Sequence, residues 1–207
     1  MSQHEPKDDK RPGRLTRRGF LASLGAGAVG VATTAGLGQA AAPQEAEDGA
    51  EALVRLTLAV NGRRHRLLVE PRWSLLYVLR EKLGLMAAKA GCERGECGSC
   101  TVLIDSRPRY ACQTLAVEAQ GQEITTLEGL AQGERLSPVQ QAFIEKDAFQ
   151  CGFCTPGQIM AAEGLLRADP NPDLAAIRQG LGGNLCRCGS YNHIFAAVAR
   201  AAELKKG

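Results

Sequence analysis

The chain has 207 residues and a formal charge of +3, which limits it to one or two small domains. Aromatic residues make up only 4% of it, which argues against a large aromatic core and suits compact helices packed around cofactors. The first 42 residues carry six Lys or Arg and three Asp or Glu, so the remainder is neutral, with 19 residues of each sign. A neutral body argues against nucleic acid as a partner.

The N-terminus has the features of an export signal. Residues 15–21 read Leu-Thr-Arg-Arg-Gly-Phe-Leu, a twin-arginine signature. The uncharged stretch from Phe20 to Ala42 is long enough to span a membrane, but it holds five glycines and only six large apolar residues. It therefore predicts a cleavable signal peptide over residues 1–42, recognised by the twin-arginine translocation machinery, and a periplasmic location. The alternative is a basic tail followed by a Gly/Ala linker.

The first of two cysteine groups lies in a glycine-rich loop. It has the spacing C-x4-C-x2-C-x11-C and consists of Cys92, Cys97, Cys100 and Cys112, here called the first quartet. Its first three spacings are those of a plant-type 2Fe–2S loop, and glycine supplies the positive φ angles that a tight wrap around a cluster needs. A zinc knuckle or a disulfide knot is the alternative, although zinc sites usually pair two short C-x2–4-C elements.

The second cysteine group has the spacing C-x2-C-x31-C-x1-C and consists of Cys151, Cys154, Cys186 and Cys188, the second quartet. Both of its pairs directly precede predicted helix N-termini, where the helix dipole stabilises an anionic cluster by about 0.3–1 kcal/mol per helix. Four thiolates in two pairs could also hold zinc. In an exported chain eight cysteines would ordinarily predict disulfides. Because the twin-arginine route carries folded proteins, however, thiolates already bound to metal can stay ligated.

The elements around the first quartet predict a mixed domain over residues 51–127. Leu53 to Val60 alternates in polarity, Asn61-Gly62 is a type I′ hairpin signal, and Arg64 to Val69 reads as the returning strand. Ser74 is expected to cap a helix that runs from Leu75 to Leu83 and ends at Gly84. Further strands are expected at Thr101 to Ile104 and at Ile124 to Leu127, which together suggest a β-grasp ferredoxin.

The pattern becomes helical in residues 133–205. Ser137-Pro138 begins a helix to about Phe149, Thr155-Pro156 begins a second and Asn171-Pro172 a third. Ser190 is expected to cap the last helix. The predicted fold class is thus α+β, with an N-terminal β-grasp 2Fe–2S domain followed by a four-helix bundle that binds a second 2Fe–2S cluster.

Three motifs carry a family resemblance over about residues 52–204. Gly91 to Val102 (GCERGECGSCTV), Gln150 to Gln158 (QCGFCTPGQ) and Gly183 to Cys188 (GNLCRC) resemble the iron–sulfur subunit of molybdenum hydroxylases, the xanthine dehydrogenase and aldehyde oxidase family. Many members have Thr-Gly-Tyr after the last motif, whereas this chain has Gly189-Ser190-Tyr191. With its twin-arginine signal, it is more similar to periplasmic aldehyde dehydrogenases.

The resemblance implies a subunit of an aldehyde oxidoreductase complex that does not turn over substrate by itself. A large subunit would hold molybdopterin cytosine dinucleotide, and a medium subunit would hold FAD. Electrons would pass from molybdenum to a cluster on the second quartet, then to a cluster on the first quartet, and then to FAD. In relatives a Gln at the position of Gln150 contacts the pterin; the alternative role of Gln150 is polar packing beside Cys151.

Two other functions compete with this interpretation. A free-standing two-cluster electron carrier is one, but it would be expected to have a charged docking face and would not need a helical bundle. A zinc- or disulfide-stapled binding protein of the cell envelope is the other, and it would lack the visible absorption of 2Fe–2S clusters.

Overall fold

The computed structural model describes residues 53–206, and the first part of this range is built around one five-stranded sheet. The strands are β1 (Val54–Val60), β2 (Arg63–Val69), β3 (Thr101–Ile104), β4 (Arg107–Tyr110) and β5 (Glu123–Thr125), in the order β2-β1-β5-β3-β4. β1 runs parallel to β5, and the other neighbouring pairs are antiparallel. The last strand ends two residues before the predicted Leu127, because Leu127–Gly129 forms a 3-10 turn.

Both hairpins of the sheet turn through left-handed backbone. Asn61 (φ 52°) and Gly62 (φ 74°) join β1 to β2, which confirms the predicted type I′ hairpin. Asp105 (φ 47°) and Ser106 (φ 64°) join β3 to β4 in the same way. The carboxylate of Asp105 accepts a hydrogen bond from the N–H of Glu123 at 3.0 Å, which ties this second turn to β5.

One helix precedes the first cysteine loop. The side chain of Ser74 caps it as predicted, by accepting the N–H of Tyr77 at 3.2 Å. Only Leu75–Tyr77 is α-helical (α1), and the segment continues as a π-helical turn over Val78–Lys82. The predicted helix from Leu75 to Leu83 is therefore observed, although most of it is π-helical. Gly84, at φ 69°, ends the segment as predicted.

Four more α-helices follow the sheet: α2 (Pro138–Glu145), α3 (Thr155–Ala168), α4 (Leu174–Leu181) and α5 (Tyr191–Leu204). α2 begins at the predicted Ser137 cap but ends before Phe149, because Asp147 adopts a φ of 47° and turns the chain away. The predicted start of α4 at Asn171 is wrong: its cap is Asp173, whose carboxylate accepts the N–H of Ala176 at 2.7 Å.

Two hydrophobic clusters stabilise these elements. One lies between the sheet and α1 and includes Leu58, Leu75 and Ile124, and the other lies among α2 to α5 and includes Phe143 and Ile194. The helices are not separate from the sheet, because Gly164 of α3 lies so close to Pro108 of β4 that a Cβ there would clash. The described residues, 53–206, thus form one compact unit with a mixed α+β fold.

The predicted signal peptide, residues 1–42, lies outside the described residues. Within residues 53–206, no helix is long and apolar enough to cross a membrane.

Candidate metal centres

The first quartet is gathered by a loop and by the pairing of two strands. Cys92, Cys97 and Cys100 lie in the loop between the π-helical turn and β3, and Cys112 lies in a 3-10 turn after β4. Because β3 and β4 pair in the register Thr101↔Tyr110, the residues just outside the pair come together, and the N–H of Ala111 donates to the carbonyl of Cys100 at 3.3 Å. Antiparallel pairing thereby brings Cys112 next to Cys100, although eleven residues separate the two in the sequence.

Within this quartet the thiols associate in two pairs. The thiol of Cys97 donates to Cys92, and that of Cys100 donates to Cys112. All four thiols also lie close enough to Tyr110 that their charges, together with burial as the largest cause, raise the pKa of its hydroxyl. The loop and the 3-10 turn after β4 therefore bring the four thiols close to one another.

The backbone of the loop favours a thiolate at Cys92. The N–H groups of Arg94 and Glu96 donate to its sulfur at 3.5 and 3.3 Å, an approach made possible by the positive φ of Glu93 (53°) and Gly95 (79°). These bonds, with that of Arg94 the largest cause, lower the pKa of Cys92 to about 7. Burial instead raises the pKa of Cys100 to about 12.

The second quartet is gathered by helix starts. Cys154 is the N-cap residue of α3, and Cys186 and Cys188 occupy the turn between α4 and α5. The thiols again form two pairs, since Cys188 donates to Cys151 and Cys154 donates to Cys186. The predicted position of both cysteine segments before helix N-termini is thus observed.

Electrostatics in the second quartet follow the same pattern as in the first. Burial raises the pKa of Cys154 to about 12. Burial acts in the same direction on Cys186, but hydrogen bonds to its sulfur, first among them the N–H of Ser190, outweigh it and lower its pKa. The N–H of Phe153 lowers the pKa of Cys151.

Four thiolates can hold either a single zinc ion or a 2Fe–2S cluster. A single zinc ion needs four ligands converging on one point, each at about 2.3 Å. Four thiolates arranged as two pairs can ligate two irons, two thiolates each, which is the ligand set of a 2Fe–2S cluster.

The two quartets adjoin one another. Cys92 and Cys97 of the first quartet and Cys151, Cys154 and Cys186 of the second line the same cavity of about 390 Å³. The carbonyl of Cys97 accepts the N–H of Leu185 at 2.9 Å, so one hydrogen bond joins a cysteine of the first quartet to the neighbour of Cys186.

Comparison with known proteins gives the family of the chain. Residues 60–149 match a family described as a 2Fe-2S iron-sulfur cluster binding domain, and residues 126–199 match one described as a 2Fe-2S binding domain. The chain is 41% identical to the aldehyde oxidoreductase iron-sulfur-binding subunit PaoA of Escherichia coli, over 99% of this chain and 94% of the relative. It is 44% identical to the nicotinate dehydrogenase small FeS subunit of Eubacterium barkeri, over 72% of this chain and 96% of the relative.

Solved structures agree with the sequence relatives. Quinoline 2-oxidoreductase from Pseudomonas putida 86 aligns with a TM-score of 0.72 at 44% identity, over 75% of this chain and 97% of that chain. Aldehyde oxidoreductase from Desulfovibrio desulfuricans aligns with a TM-score of 0.71 at 41% identity, over 74% of this chain but only 17% of that chain. The chain belongs to the 2Fe–2S-binding subunits of the molybdenum hydroxylases. The family resemblance inferred from the three motifs is thereby confirmed.

Two residues that connect the segments carrying the two quartets, Asn184 and Gln158, were not predicted from the sequence. The side-chain N–H groups of the buried Asn184 donate to the carbonyl of Gly98 at 2.9 Å and to the hydroxyl of Thr101 at 3.1 Å. Its backbone carbonyl accepts the side-chain N–H of Gln158 at 2.8 Å. Both residues lie inside the motifs that carry the family resemblance, but spacing alone gives no indication of which distant backbone group an amide will meet.

One side of the second quartet is open to solvent. Cys151 and Cys188 are exposed, whereas none of the first quartet is. Beside them, large apolar side chains are also exposed: Phe149 at 42%, Phe153 at 48% and Leu185 at 53%. Gln150 is exposed in the same segment.

Proposed function

We propose that this chain is the electron-transfer subunit of a molybdenum-containing aldehyde oxidoreductase. One cluster is held by Cys92, Cys97, Cys100 and Cys112, and a second by Cys151, Cys154, Cys186 and Cys188. When bound, each 2Fe–2S cluster accepts and releases single electrons. The observation that carries the proposal is that thiols of both quartets line one cavity, which leaves a short path between them.

The thiols themselves support the ligand assignment. In each quartet one thiol, Cys92 or Cys186, is surrounded by N–H groups that lower its pKa and so favour the thiolate that a metal needs. Two pairs of thiols in each quartet match two irons with two protein ligands each. The two hydrophobic clusters favour the predicted division into a β-grasp domain at 51–127 and a helical domain at 133–205, although the two parts pack together into one compact unit.

The exposed side of the second quartet supports an order of electron flow. Phe149, Phe153 and Leu185 would bury apolar surface against a large subunit that holds molybdopterin cytosine dinucleotide. Gln150, exposed in the same segment, is available to contact the pterin. Electrons from aldehyde oxidation then reach the second quartet first, pass to the first quartet, and leave for FAD on a medium subunit.

Cofactor content tests the ligand assignment. The anaerobically purified chain should contain about four iron and four sulfide, because two 2Fe–2S clusters have that stoichiometry. Zinc in place of iron, or about half this iron content at full occupancy, would contradict it.

Rapid mixing tests the order of electron flow. In the complex carrying Cys186→Ser, aldehyde should reduce molybdenum while FAD stays oxidised, because the hydroxyl is a poorer iron ligand than the thiolate. Ser106→Ala, in the turn between β3 and β4, is a control that should keep the native rate. Native FAD reduction by a variant shown to lack the second cluster would contradict the route.

Export follows from the same proposal. A chain that binds its clusters in the cytoplasm must cross the membrane folded, since metal binding and folding are coupled. We therefore place this chain and its partner subunits in the periplasm. Arg17→Lys combined with Arg18→Lys keeps the charge but removes the recognised pair, so this chain and the molybdenum subunit should both remain in the cytoplasm with clusters loaded. A molybdenum subunit still found in the periplasm would contradict joint export.

A further inference from the structure

Buried polar atoms without a hydrogen-bond partner are concentrated at the second quartet. Residues 53–206 contain four side-chain atoms of this kind: Thr155 Oγ1, Gln158 Oε1, Glu163 Oε2 and Ser190 Oγ. Glu163 Oε2 lies 2.9 Å from Lys205 Nζ in an ion pair, so its charge is compensated. The other three belong to the starts of α3 and α5, the two segments that carry the second quartet. Of the described residues around the first quartet, none has such an atom.

Ser190 lies directly against a thiol of this quartet. Its backbone N–H donates to the sulfur of Cys186, and its side chain is buried, with 5% of the residue exposed. Although Ser190 is the N-cap residue of α5, its hydroxyl makes no capping hydrogen bond. The backbone N–H of Cys186 donates instead to the hydroxyl of Tyr191, at 2.9 Å.

A buried hydroxyl in this position needs a partner. A buried donor without a hydrogen bond destabilises the protein by the free energy of removing it from water. Native proteins therefore seldom contain such donors. The described residues offer none to Ser190 Oγ, while a sulfur-rich group held by Cys186 and its neighbours would provide acceptors beside it. The sulfurs of an iron–sulfur cluster accept hydrogen bonds, and these bonds tune its reduction potential.

We propose that the hydroxyl of Ser190 donates a hydrogen bond to a sulfur of the cluster held by the second quartet and raises that cluster's reduction potential. This inference rests on the proposed function, because it requires that cluster. One-electron reduction adds negative charge to the cluster, and a hydrogen-bond donor stabilises the more negative state more than the oxidised one. The first quartet has no corresponding unpartnered hydroxyl among the described residues, so the effect is confined to one of the two centres.

The test is a dithionite titration of the complete complex, followed by EPR at low temperature. In Ser190→Ala the equilibrium for reducing the second cluster should fall about tenfold, which is a shift of about 59 mV to more negative potential for one electron. The signal of the first cluster should titrate as in the wild type and serves as an internal reference. Ser190→Thr keeps the hydroxyl and should restore the native potential, and Ser106→Ala should shift neither signal.

The possible results distinguish failure of this inference from failure of the proposed function. Unchanged potential in a cluster-loaded Ser190→Ala or Ser190→Gly variant overturns the inference and leaves the proposed function intact. Loss of the second signal in both variants, with Ser190→Thr normal, also overturns it, because the hydroxyl would then serve assembly and not the potential. A wild-type complex that lacks the second signal overturns the proposed function and this inference together.

Discussion

The two quartets reach the same pairing of thiols by different routes. Three thiols of the first quartet come from one loop held by positive φ angles, and strand register delivers the fourth. The second quartet is assembled from two cysteine pairs at helix starts, with 31 residues between the pairs. Local backbone conformation therefore shapes the first site, whereas the second depends on how α3 and α5 pack. Loosening the tertiary structure should disturb the second site before the first.

The quartets differ in how exposed their cysteines are, but in both of them one thiol has a lowered pKa and another has a raised pKa. Cys151 and Cys188 are exposed among apolar side chains, while the first quartet has no exposed cysteine. Each quartet nevertheless combines a thiol that N–H groups favour as thiolate, Cys92 or Cys186, with a thiol that burial keeps protonated, Cys100 or Cys154. Four measurements test how the two sites depend on the contacts between them and on the reactivity of their thiols.

The largest effect is expected where the two sites touch, at Gly98. Its φ is 69°, and an added Cβ would lie 2.5 Å from the carbonyl oxygen of Gly183. Gly98→Ala combines left-handed strain with overpacking, so the free energy of unfolding should fall by about 2–5 kcal/mol. Gly121→Ala is the matched control, since its φ is 82° and no atom lies within 4 Å of the added Cβ. It should cost only about 1–2 kcal/mol.

Urea denaturation of both glycine variants measures the difference. We also expect Gly98→Ala to lose iron from both sites, because the loop and the turn it contacts carry cysteines of both quartets. Equal stability of the two variants would show that the contact between Gly98 and Gly183 is not tight.

Thiol reactivity tests the contrast within each quartet. In the iron-free reduced chain at about pH 8, Cys92, with its pKa of about 7, is mostly thiolate, whereas Cys100 and Cys154, with pKa values of about 12, are almost entirely thiol. After allowing for the weaker nucleophilicity of a low-pKa thiolate, Cys92 should be alkylated roughly 100-fold faster. Its rate should rise about tenfold per pH unit below about pH 7 and level off above it.

Iodoacetamide labelling followed by peptide mass spectrometry measures these rates, with circular dichroism to check that the helices persist. Equal rates at all three cysteines, in a chain that keeps its helices, would mean that the N–H groups around Cys92 do not act as described.

Asn184 tests whether the second site is held in place by the first. Asn184→Ala removes hydrogen bonds to Gly98 and Thr101 and leaves the Gly98 carbonyl with one donor fewer, which should cost about 1–3 kcal/mol of unfolding free energy. Asn171→Ala, at an exposed asparagine whose side chain accepts a hydrogen bond from Lys206, should change stability by less than about 0.5 kcal/mol. Similar small effects in the two variants would mean that Asn184 does not hold the two sites together.

The smallest effect is expected at Tyr110, whose hydroxyl donates to the carbonyl of Gly183 at 3.0 Å. Tyr110→Phe removes this single neutral hydrogen bond and should lower the unfolding free energy by about 0.5–1.5 kcal/mol. Thermal unfolding of the cluster-loaded chain measures it. A loss as large as that of Gly98→Ala would mean that this bond, and not the glycine contact, joins the sheet to the helical part.

Features set by neighbouring residues could be predicted from the sequence. The Asn61-Gly62 hairpin, the Ser74 and Ser137 caps and the placement of Cys151 and Cys154 before a helix all depend on short-range geometry. In the same way, cysteine spacing alone was enough to propose the ligand sets, and the three motifs around the cysteines were enough to propose the family.

Features set by distant residues could not be predicted. The parallel pairing of β1 with β5 and the amide contacts of Asn184 join residues far apart in the sequence. Nothing in the local sequence marks the π-helical turn at Val78–Lys82. The early end of α2 has a local cause, the left-handed Asp147, but Asp is only one of several residues that tolerate this conformation. The adjacency of the two quartets could not be predicted either. The spacing of the cysteines along the sequence defines each quartet but not the distance between the two quartets.

EPR of the fully reduced chain at low temperature tests most directly whether the quartets form two adjacent centres. We predict two signals, each broadened by magnetic interaction with the other, because both quartets line one cavity. Cys188→Ser should remove one signal and leave the remaining one narrow, and Cys112→Ser should do the reverse. A single signal in the wild type, or two signals of which neither changes shape when the other is removed, would contradict the claim.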